Sequence, residues 1–446
     1  MRALLLAAVL TAACFGEPLS LSQAVQKALE NYPSIRVSDE QLAAAAAGIN
    51  LARTAFLPRA DVLGQINRAT RNNIFGLMLP QAVIPSISGP VLGTNNFTNV
   101  WGSAVGFLVS WEPFDFGLRQ ANVAAAEASQ RRAAAALERT KFEVSVLAAD
   151  AYLTLMAAEQ TLNAAKAQVA RTESIDRIVE ALVKAELRPG ADASRNKAEV
   201  AIARTQVIQA EEAIRTARVT LRQLTGTDVT VAAGPLLQTP GDLQQQRNAA
   251  SNPMAKEQEA VVAEAEARRK ALDHAYVPRF YAQASSYARG SGANLDGTTG
   301  GALAGLGPDV QNWALGFTAQ FSLMDLPSLR VRKEIEEHRR KMESARYDQL
   351  LIDLNAKLEQ AVARLEAARR IAAELPAQLE AAHASEQQAA ARYKSGLATL
   401  IEVADAQRVL TQTEIDDSLA KLSIWRAMLA VAAAQGDLQP FLESTK

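Results

Sequence analysis

The chain carries an internal duplication with an offset of 220 residues. The hexapeptide AFLPRA at residues 55–60 returns as AYVPRF at residues 275–280, and NYPS at residues 31–34 returns at the same offset as SNPM. Each hexapeptide ends an alanine-rich helical stretch and opens a short alternating stretch, which a very long helical segment follows. Because a repeat in fixed order describes a whole architecture, the duplication predicts two halves, each with short helices, a strand pair and a long helix.

Two segments alternate with the period of a β-strand. At residues 101–111 and again at 313–323, mostly bulky apolar side chains alternate with small or polar ones. Such a strand can face lipid with its apolar side, or it can be a half-buried strand of a soluble sheet, and the pattern alone leaves both hypotheses open. The lipid-facing side chains predicted by the first hypothesis are Trp101, Val105, Phe107, Val109, Trp313, Leu315, Phe317 and Phe321.

Long helices are the second constraint on the fold. Residues 118–188 contain neither glycine nor proline, and at about 1.5 Å rise per residue such a helix could reach roughly 100 Å. Residues 328–375 are also free of both, and Pro376 is expected to kink or interrupt that helix before it resumes. Return helices over residues 192–225 and 398–435 would complete two hairpins, and both hairpins are expected to turn at a glycine.

The N-terminal half opens with weaker helix signals. Ser20 and Gln23 have the spacing of a capping box, which predicts a short amphipathic helix to about residue 30. Pro33 suits the first turn of a second helix that would run to about residue 56.

The composition excludes several functions. With 47 basic and 48 acidic residues the chain has no electrostatic footprint for nucleic acid. His274, His338 and His383 lack metal-ligand spacing, so no metal site is expected. The sequence has no P-loop and no nucleophile elbow, so we expect neither an enzyme nor a cofactor. It also lacks an internal run of 18 apolar residues, so any membrane crossing must use strands.

The first residues have the pattern of an export signal. Arg2 precedes an apolar run over residues 3–13, and the chain's single cysteine, Cys14, follows that run. Residues 1–14 are therefore predicted to be a signal peptide or a lipoprotein signal. In the second case Cys14 would carry lipid after cleavage; in the first, cleavage would fall elsewhere, for example after Gly16.

Strands in lipid would force the chain to oligomerise. Two strand pairs give four strands, whereas the smallest closed membrane barrels need about eight, and open strand edges are not tolerated in hydrocarbon. Several copies around an axis would close the sheet, and their long helices would make a tube, which predicts an export conduit. The alternative, from a different class, is a soluble periplasmic coiled-coil adaptor or structural protein.

Four motifs in fixed order carry a resemblance to a known family. They are LSLSQAV at residues 19–25, the two Pro-Arg strand openers, WEPFDFG at 111–117 and RYKSGLAT at 392–399. Over residues 19–438 the chain resembles TolC-like outer membrane efflux proteins. The resemblance implies an α+β membrane protein with two repeats, at 19–226 and 247–438. Long α-helical hairpins would form a periplasmic α-barrel, and four β-strands per chain would enter a trimeric 12-stranded outer-membrane β-barrel.

The resemblance also implies partners and site residues. A homotrimer in the outer membrane lipid of a Gram-negative-type cell would act with a periplasmic adaptor (a membrane fusion protein) and an inner-membrane pump. Glu402 and Asp405, three apart on one helix face, would ring the periplasmic entrance and favour cations, or else they lie on an ordinary solvated face. Tyr393 would help to close the entrance, although Ala398 stands where the family has a partner arginine. The adaptor-docking tips would be Arg188, Pro189, Gly190, Lys394, Ser395, Gly396 and Leu397.

Overall fold

The computed structural model describes residues 18–70, 98–187, 189–232, 234–238, 240–241, 248–294, 296 and 298–445. Two predictions therefore concern residues outside the described ranges: the signal segment with Cys14, and Arg188 at the first tip. Within the described ranges, no helix combines the length and the apolar character that a membrane crossing requires.

The described chain is mainly helical, with one four-stranded sheet. The helices are α1 (Leu21–Asn31), α2 (Pro33–Thr54), α3 (Leu118–Lys184), α4 (Gly190–Thr225), α5 (Pro253–Asp273), α6 (Leu326–Lys394), α7 (Leu400–Gln435) and α8 (Gln439–Ser444). The strands are β1 (Pro18–Leu19), β2 (Arg59–Thr70), β3 (Asn99–Phe114), β4 (Thr230–Val231), β5 (Arg279–Ser291) and β6 (Val310–Gln320). The duplicated order of helix, strand pair and helical hairpin is thus present.

The chain divides into two units. The hairpin unit comprises Met1–Leu42, Ala133–Glu259 and Ala345–Lys446, and the sheet unit comprises Ala43–Arg132 and Ala260–Ser344. In the sheet unit the strand order is β2-β3-β5-β6 and all neighbours are antiparallel, so the two sequence repeats meet at the pair β3–β5. Strands β2 and β6 form the two edges of this sheet.

The WEPFDFG motif makes the change from strand to helix in the first repeat. The Asp115 carboxylate accepts the Arg119 backbone N–H at 2.5 Å, which caps the first turn of α3. Phe116 and Gly117 both have positive φ, 50° and 92°, so the chain turns sharply between β3 and α3. Glu112 accepts two hydrogen bonds from the Arg279 guanidinium, at 2.9 and 2.8 Å. This bidentate pair connects the motif to the strand opener of the second repeat.

Several local predictions are confirmed. Ser20 and Gln23 form both hydrogen bonds of the capping box at α1, and α2 begins at Pro33.

Two other local expectations are corrected by the structure. Helix α6 runs continuously through Pro376, so this proline does not interrupt it. Strand β6 ends at Gln320, which leaves Phe321 one residue beyond the strand in which it was predicted.

The prediction that both hairpins turn at a glycine is wrong for the first hairpin. Helix α3 ends at Lys184, and the left-handed residue that follows is Glu186, with φ 60°. Gly190 is the first residue of α4 and does not have a positive φ. In the second hairpin Gly396 does take the left-handed position, with φ 77°.

In the hairpin unit, one asparagine per repeat clamps the end of the return helix. Asn31 Nδ2 donates to the Thr225 carbonyl at 2.9 Å, at the end of α4. Asn252 is fully buried, and its Nδ2 lies 3.2 and 3.1 Å from the carbonyls of Ala433 and Ala434, at the end of α7. Each asparagine therefore satisfies helix-terminal carbonyls that have no partner within their own helix.

A buried tyrosine holds the short β1–β4 pair against α3. The Tyr152 hydroxyl donates to the Leu19 carbonyl at 2.7 Å and accepts the Ala232 N–H at 3.0 Å. Burial, the largest cause, raises the pKa of Tyr152 to about 12. The neutral phenol therefore stabilises this part of the hairpin unit.

Replacing Gly436 by alanine is expected to destabilise the hairpin unit, because the left-handed Gly436 packs directly on the Asn252 clamp. An added Cβ would lie 2.5 Å from Asn252 Cα, and a φ of 81° adds a cost of about 1–2 kcal/mol for a non-glycine residue. Gly190→Ala is the matched control, because nothing lies within 4 Å of its Cβ position. Thermal melting followed by far-ultraviolet circular dichroism compares the two, and equal melting temperatures would contradict the clamp.

Tyr152→Phe is expected to change how stability depends on alkaline pH. Because the folded pKa is raised from 10.0 to about 12, the unfolded state loses the proton first as the pH rises. The phenol's contribution is therefore complete below pH 10 and is lost as the pH passes from 10 towards 12.

The variant should lose about 0.5–1.5 kcal/mol at neutral pH, because the hydrogen bonds of the hydroxyl are lost while the Ala232 N–H and the Leu19 carbonyl keep their bond to each other at 3.2 Å. Its free energy of unfolding should then fall less steeply than that of the wild type in the alkaline window. Denaturant midpoints at several pH values measure both effects. Parallel alkaline slopes for the two proteins would show that Tyr152 does not control the transition.

Candidate functional site: an apolar sheet face and two hairpin tips

The register of the sheet collects bulky apolar side chains on one face. Val62 lies opposite Phe107, Phe107 opposite Ser286, and Ser286 opposite Trp313. Since directly opposed residues share a face and successive residues alternate, this chain of partners defines one continuous face across four strands. The side chains predicted to face lipid that lie within β3 and β6 are all on it: Trp101, Val105, Phe107, Val109, Trp313, Leu315 and Phe317.

The apolar face is exposed in the single chain, most strongly on the edge strands. Trp313 and Leu315 on β6 are 77% and 74% exposed. Val62 and Ile66 on β2 are 77% and 66% exposed and belong to the same face, although they are not among the side chains predicted to face lipid. The opposite face carries polar side chains such as Gln65, Gln283 and Thr318. One apolar and one polar face is the pattern of a sheet between lipid and water.

Both hairpins of the hairpin unit end in the same main-chain motif. The Leu187 N–H donates to the Leu182 carbonyl at 2.9 Å, and the Leu397 N–H donates to the Arg392 carbonyl at 2.8 Å. These are the six-residue bonds of a Schellman motif around Glu186 and Gly396. Leu187 and Leu397 are therefore equivalent, and they are 70% and 71% exposed.

The second of these leucines, Leu397, is predicted from the sequence as a tip residue, whereas Leu187 is not. Leu187 could have been found by aligning the end of each long helix, because Leu397 holds the same position after the left-handed residue. The other predicted tip residues that the structure describes, Pro189, Gly190, Lys394, Ser395 and Gly396, are all exposed.

Tyr393 lies in the interior of the tip. It is fully buried in a small apolar cluster with Ile175 and Val179 of α3, and Leu400 and Val403 of α7. Ala398, which stands where the resemblance expected an arginine, is part of this cluster. Tyr393 therefore joins α3, α6 and α7 through packing.

Glu402 makes a helix cap. Its Oε1 accepts the Thr399 N–H and hydroxyl, each at 3.1 Å, while Thr399 Oγ1 accepts the Glu402 N–H, which completes a capping box at the start of α7. The hydrogen bond from the Thr399 backbone, the largest cause, lowers the pKa of Glu402. The carboxylate therefore stays ionised while it stabilises the first turn of α7.

Asp405 lies one turn further along the same exposed side of α7. Its Oδ1 is 3.5 Å from Arg408 Nη2, and both side chains are mostly exposed. Deeper in the hairpin unit, the Arg171 guanidinium binds both carboxylate oxygens of Glu414 at 2.9 and 2.7 Å, which connects α3 to α7. The described residues contain no group of three or more His, Cys, Asp or Glu side chains that could hold a metal ion.

The chain's family follows from its sequence. The sequence model of the outer membrane efflux protein family matches residues 24–227 and 245–437. The chain belongs to this family. It is therefore an outer membrane protein of the efflux type, which excludes the alternative of a soluble periplasmic adaptor. A search among curated proteins finds no significant sequence match.

Solved efflux channels share its fold. The outer-membrane channel OprN is 20% identical with a TM-score of 0.73, and the alignment covers 93% of this chain and 89% of that one. The CmeC outer membrane channel of Campylobacter jejuni is 15% identical with a TM-score of 0.73, covering 93% and 85%. The open state of the MtrE outer membrane channel of Neisseria gonorrhoeae is 17% identical with a TM-score of 0.72, covering 94% and 89%.

Phe107→Arg is expected to block assembly of this protein in the membrane, because it places a charge on the apolar face. A charge facing lipid near the bilayer midplane costs about 2–4 kcal/mol. Leu108→Arg is the matched control, since the neighbouring residue points to the opposite, polar face, where it lies opposite Asp61. Fractionation of outer membranes should show loss of Phe107→Arg and retention of Leu108→Arg. Equal insertion of both variants would contradict the assignment of the faces.

Proposed function

We propose that the chain forms a passive export duct. In this proposal three copies join edge to edge, so that four strands from each make a closed 12-stranded barrel in the outer membrane. The helical hairpins of the two repeats, residues 19–226 and 247–438, make a helical tube in the periplasm. A periplasmic adaptor docks at the hairpin tips, and an inner-membrane pump supplies the energy.

The observation that carries the proposal is an exposed apolar face on a sheet with two open edges. Exposed Val62 and Ile66 lie on edge strand β2, and exposed Trp313, Leu315 and Phe317 lie on edge strand β6. In lipid the apolar face would be solvated, but the unpaired backbone groups of both edges would each cost several kcal/mol. Pairing β6 of one copy with β2 of the next removes both edges, and a ring of copies leaves none.

The tips support a docking role for the adaptor. Leu187 and Leu397 are exposed apolar side chains on tight turns whose backbone is held by Schellman hydrogen bonds. Such preorganised apolar side chains lose little conformational entropy on binding a partner. In this proposal Pro189, Gly190, Lys394, Ser395 and Gly396 surround these two anchors.

The test combines native mass determination with conductance. Protein extracted from outer membranes in detergent is weighed by native mass spectrometry and then added to planar lipid bilayers. The proposal predicts a species of three chain masses that produces discrete single-channel steps, whereas detergent alone produces none. A monomer without conductance would refute the proposal. A conducting assembly of another copy number would refute only the trimeric state and would leave the duct in place.

A further inference from the structure

Each acidic side chain predicted for the entrance has an arginine beside it. Arg392 Nη1 lies 3.8 Å from Glu402 Oε2, and Arg408 Nη2 lies 3.5 Å from Asp405 Oδ1. The four charged groups belong to the last turn of α6 and the first three turns of α7, so they form one exposed set at the second tip.

Paired charges act on a passing ion differently from single ones. The field of an isolated carboxylate extends over a Debye length of about 8 Å at physiological salt. A carboxylate with a guanidinium at salt-bridge distance is a dipole, and its field falls off more steeply with distance. Two acids and two arginines per chain therefore leave these two pairs without net charge, and Lys394 in the same last turn of α6 adds a positive charge.

We propose that the entrance of this duct is charge-compensated, and that Arg408 is a residue that sets its ion selectivity. The inference rests on the proposed function, because it needs the second tip to line an opening. It replaces the expectation of a cation-preferring ring of six carboxylates with that of an entrance that discriminates weakly between cations and anions. Such an entrance admits anionic and neutral cargo as readily as cationic cargo.

The two arginines differ in how cleanly they can be tested. Arg392 Nη2 also donates to the Leu397 carbonyl at 3.3 Å, so its replacement would disturb the turn as well as the charge. Arg408 is 80% exposed and its interaction is with Asp405 on its own helix, so Arg408→Gln removes the charge and leaves the fold in place. Arg408→Lys keeps the charge and is the matched control.

The acids can be neutralised without loss of the helix cap. Glutamine serves at the third position of a capping box as well as glutamate does, so Glu402→Gln keeps the hydrogen-bonding pattern with Thr399. An alanine at this position would remove the charge and weaken the start of α7 together. Asp405→Asn removes the partner of Arg408 with little change in shape.

The experiment measures reversal potentials of single channels in a potassium chloride gradient. Wild type and Arg408→Lys should have potassium-to-chloride permeability ratios near one. Three uncompensated charges roughly 8 Å from an ion, screened by salt, change its local concentration by about threefold. The same potential that raises the local cation concentration lowers the local anion concentration, so the two factors multiply in the ratio. Arg408→Gln should therefore raise the ratio roughly seven- to ninefold, and Asp405→Asn should lower it by a similar factor.

The outcomes separate this inference from the proposed function. If Asp405→Asn shifts the ratio and Arg408→Gln does not, Arg408 does not compensate the acid and the inference fails. If channels form but no variant differs from wild type, the charged set lies away from the ion path; the inference fails and the duct stands. If the wild-type protein makes no channels, both fail. A strong cation preference of the wild-type channel would also overturn the inference that the charges at the entrance are compensated.

Discussion

Unpaired backbone groups at the edges of a sheet have no water to bind in hydrocarbon, and this constraint governs the whole assembly. The sheet unit has one sheet of four strands, and its edge strands β2 and β6 carry exposed apolar side chains on the same face as the central strands. The sheet therefore suits lipid on one side and water on the other, while its edges require partners. Membership of the outer membrane efflux family agrees with this physical argument.

A few side-chain hydrogen bonds to the backbone fix the ends of the helices in the hairpin unit. Asn31 and Asn252 hold the ends of the two return helices, and Tyr152 holds the β1–β4 pair. Asn252 and Tyr152 are fully buried, and buried polar groups are costly when unpaired, so these two contacts specify one arrangement of the elements that they join. The tips contain a smaller apolar cluster around Tyr393.

Much of the fold was predictable because its signals are periodic or local. Alternation over residues 101–111 placed one face of β3, and the capping box at Ser20 placed α1. The first tip was mispredicted because glycine is the usual left-handed residue, yet Glu186 takes that conformation there. The candidate site was less predictable because the environment of its side chains depends on contacts that form only when the chain folds. The spacing of Arg408 from Asp405 was visible in the sequence, but the Arg392–Glu402 pair depends on how the turn folds back.

The most direct test of edge-to-edge closure is disulfide cross-linking between the two edge strands. Cysteine replaces Val62 on β2 together with Leu315, Phe317 or Ala319 on β6, and a disulfide needs Cα atoms within about 7 Å. Closure predicts that at least one pair yields covalent trimers in outer membranes after oxidation. A cysteine at Ala284 of the central strand β5 is the control, since β3 and β6 of its own chain already flank it. Monomers from every edge pair would contradict the account.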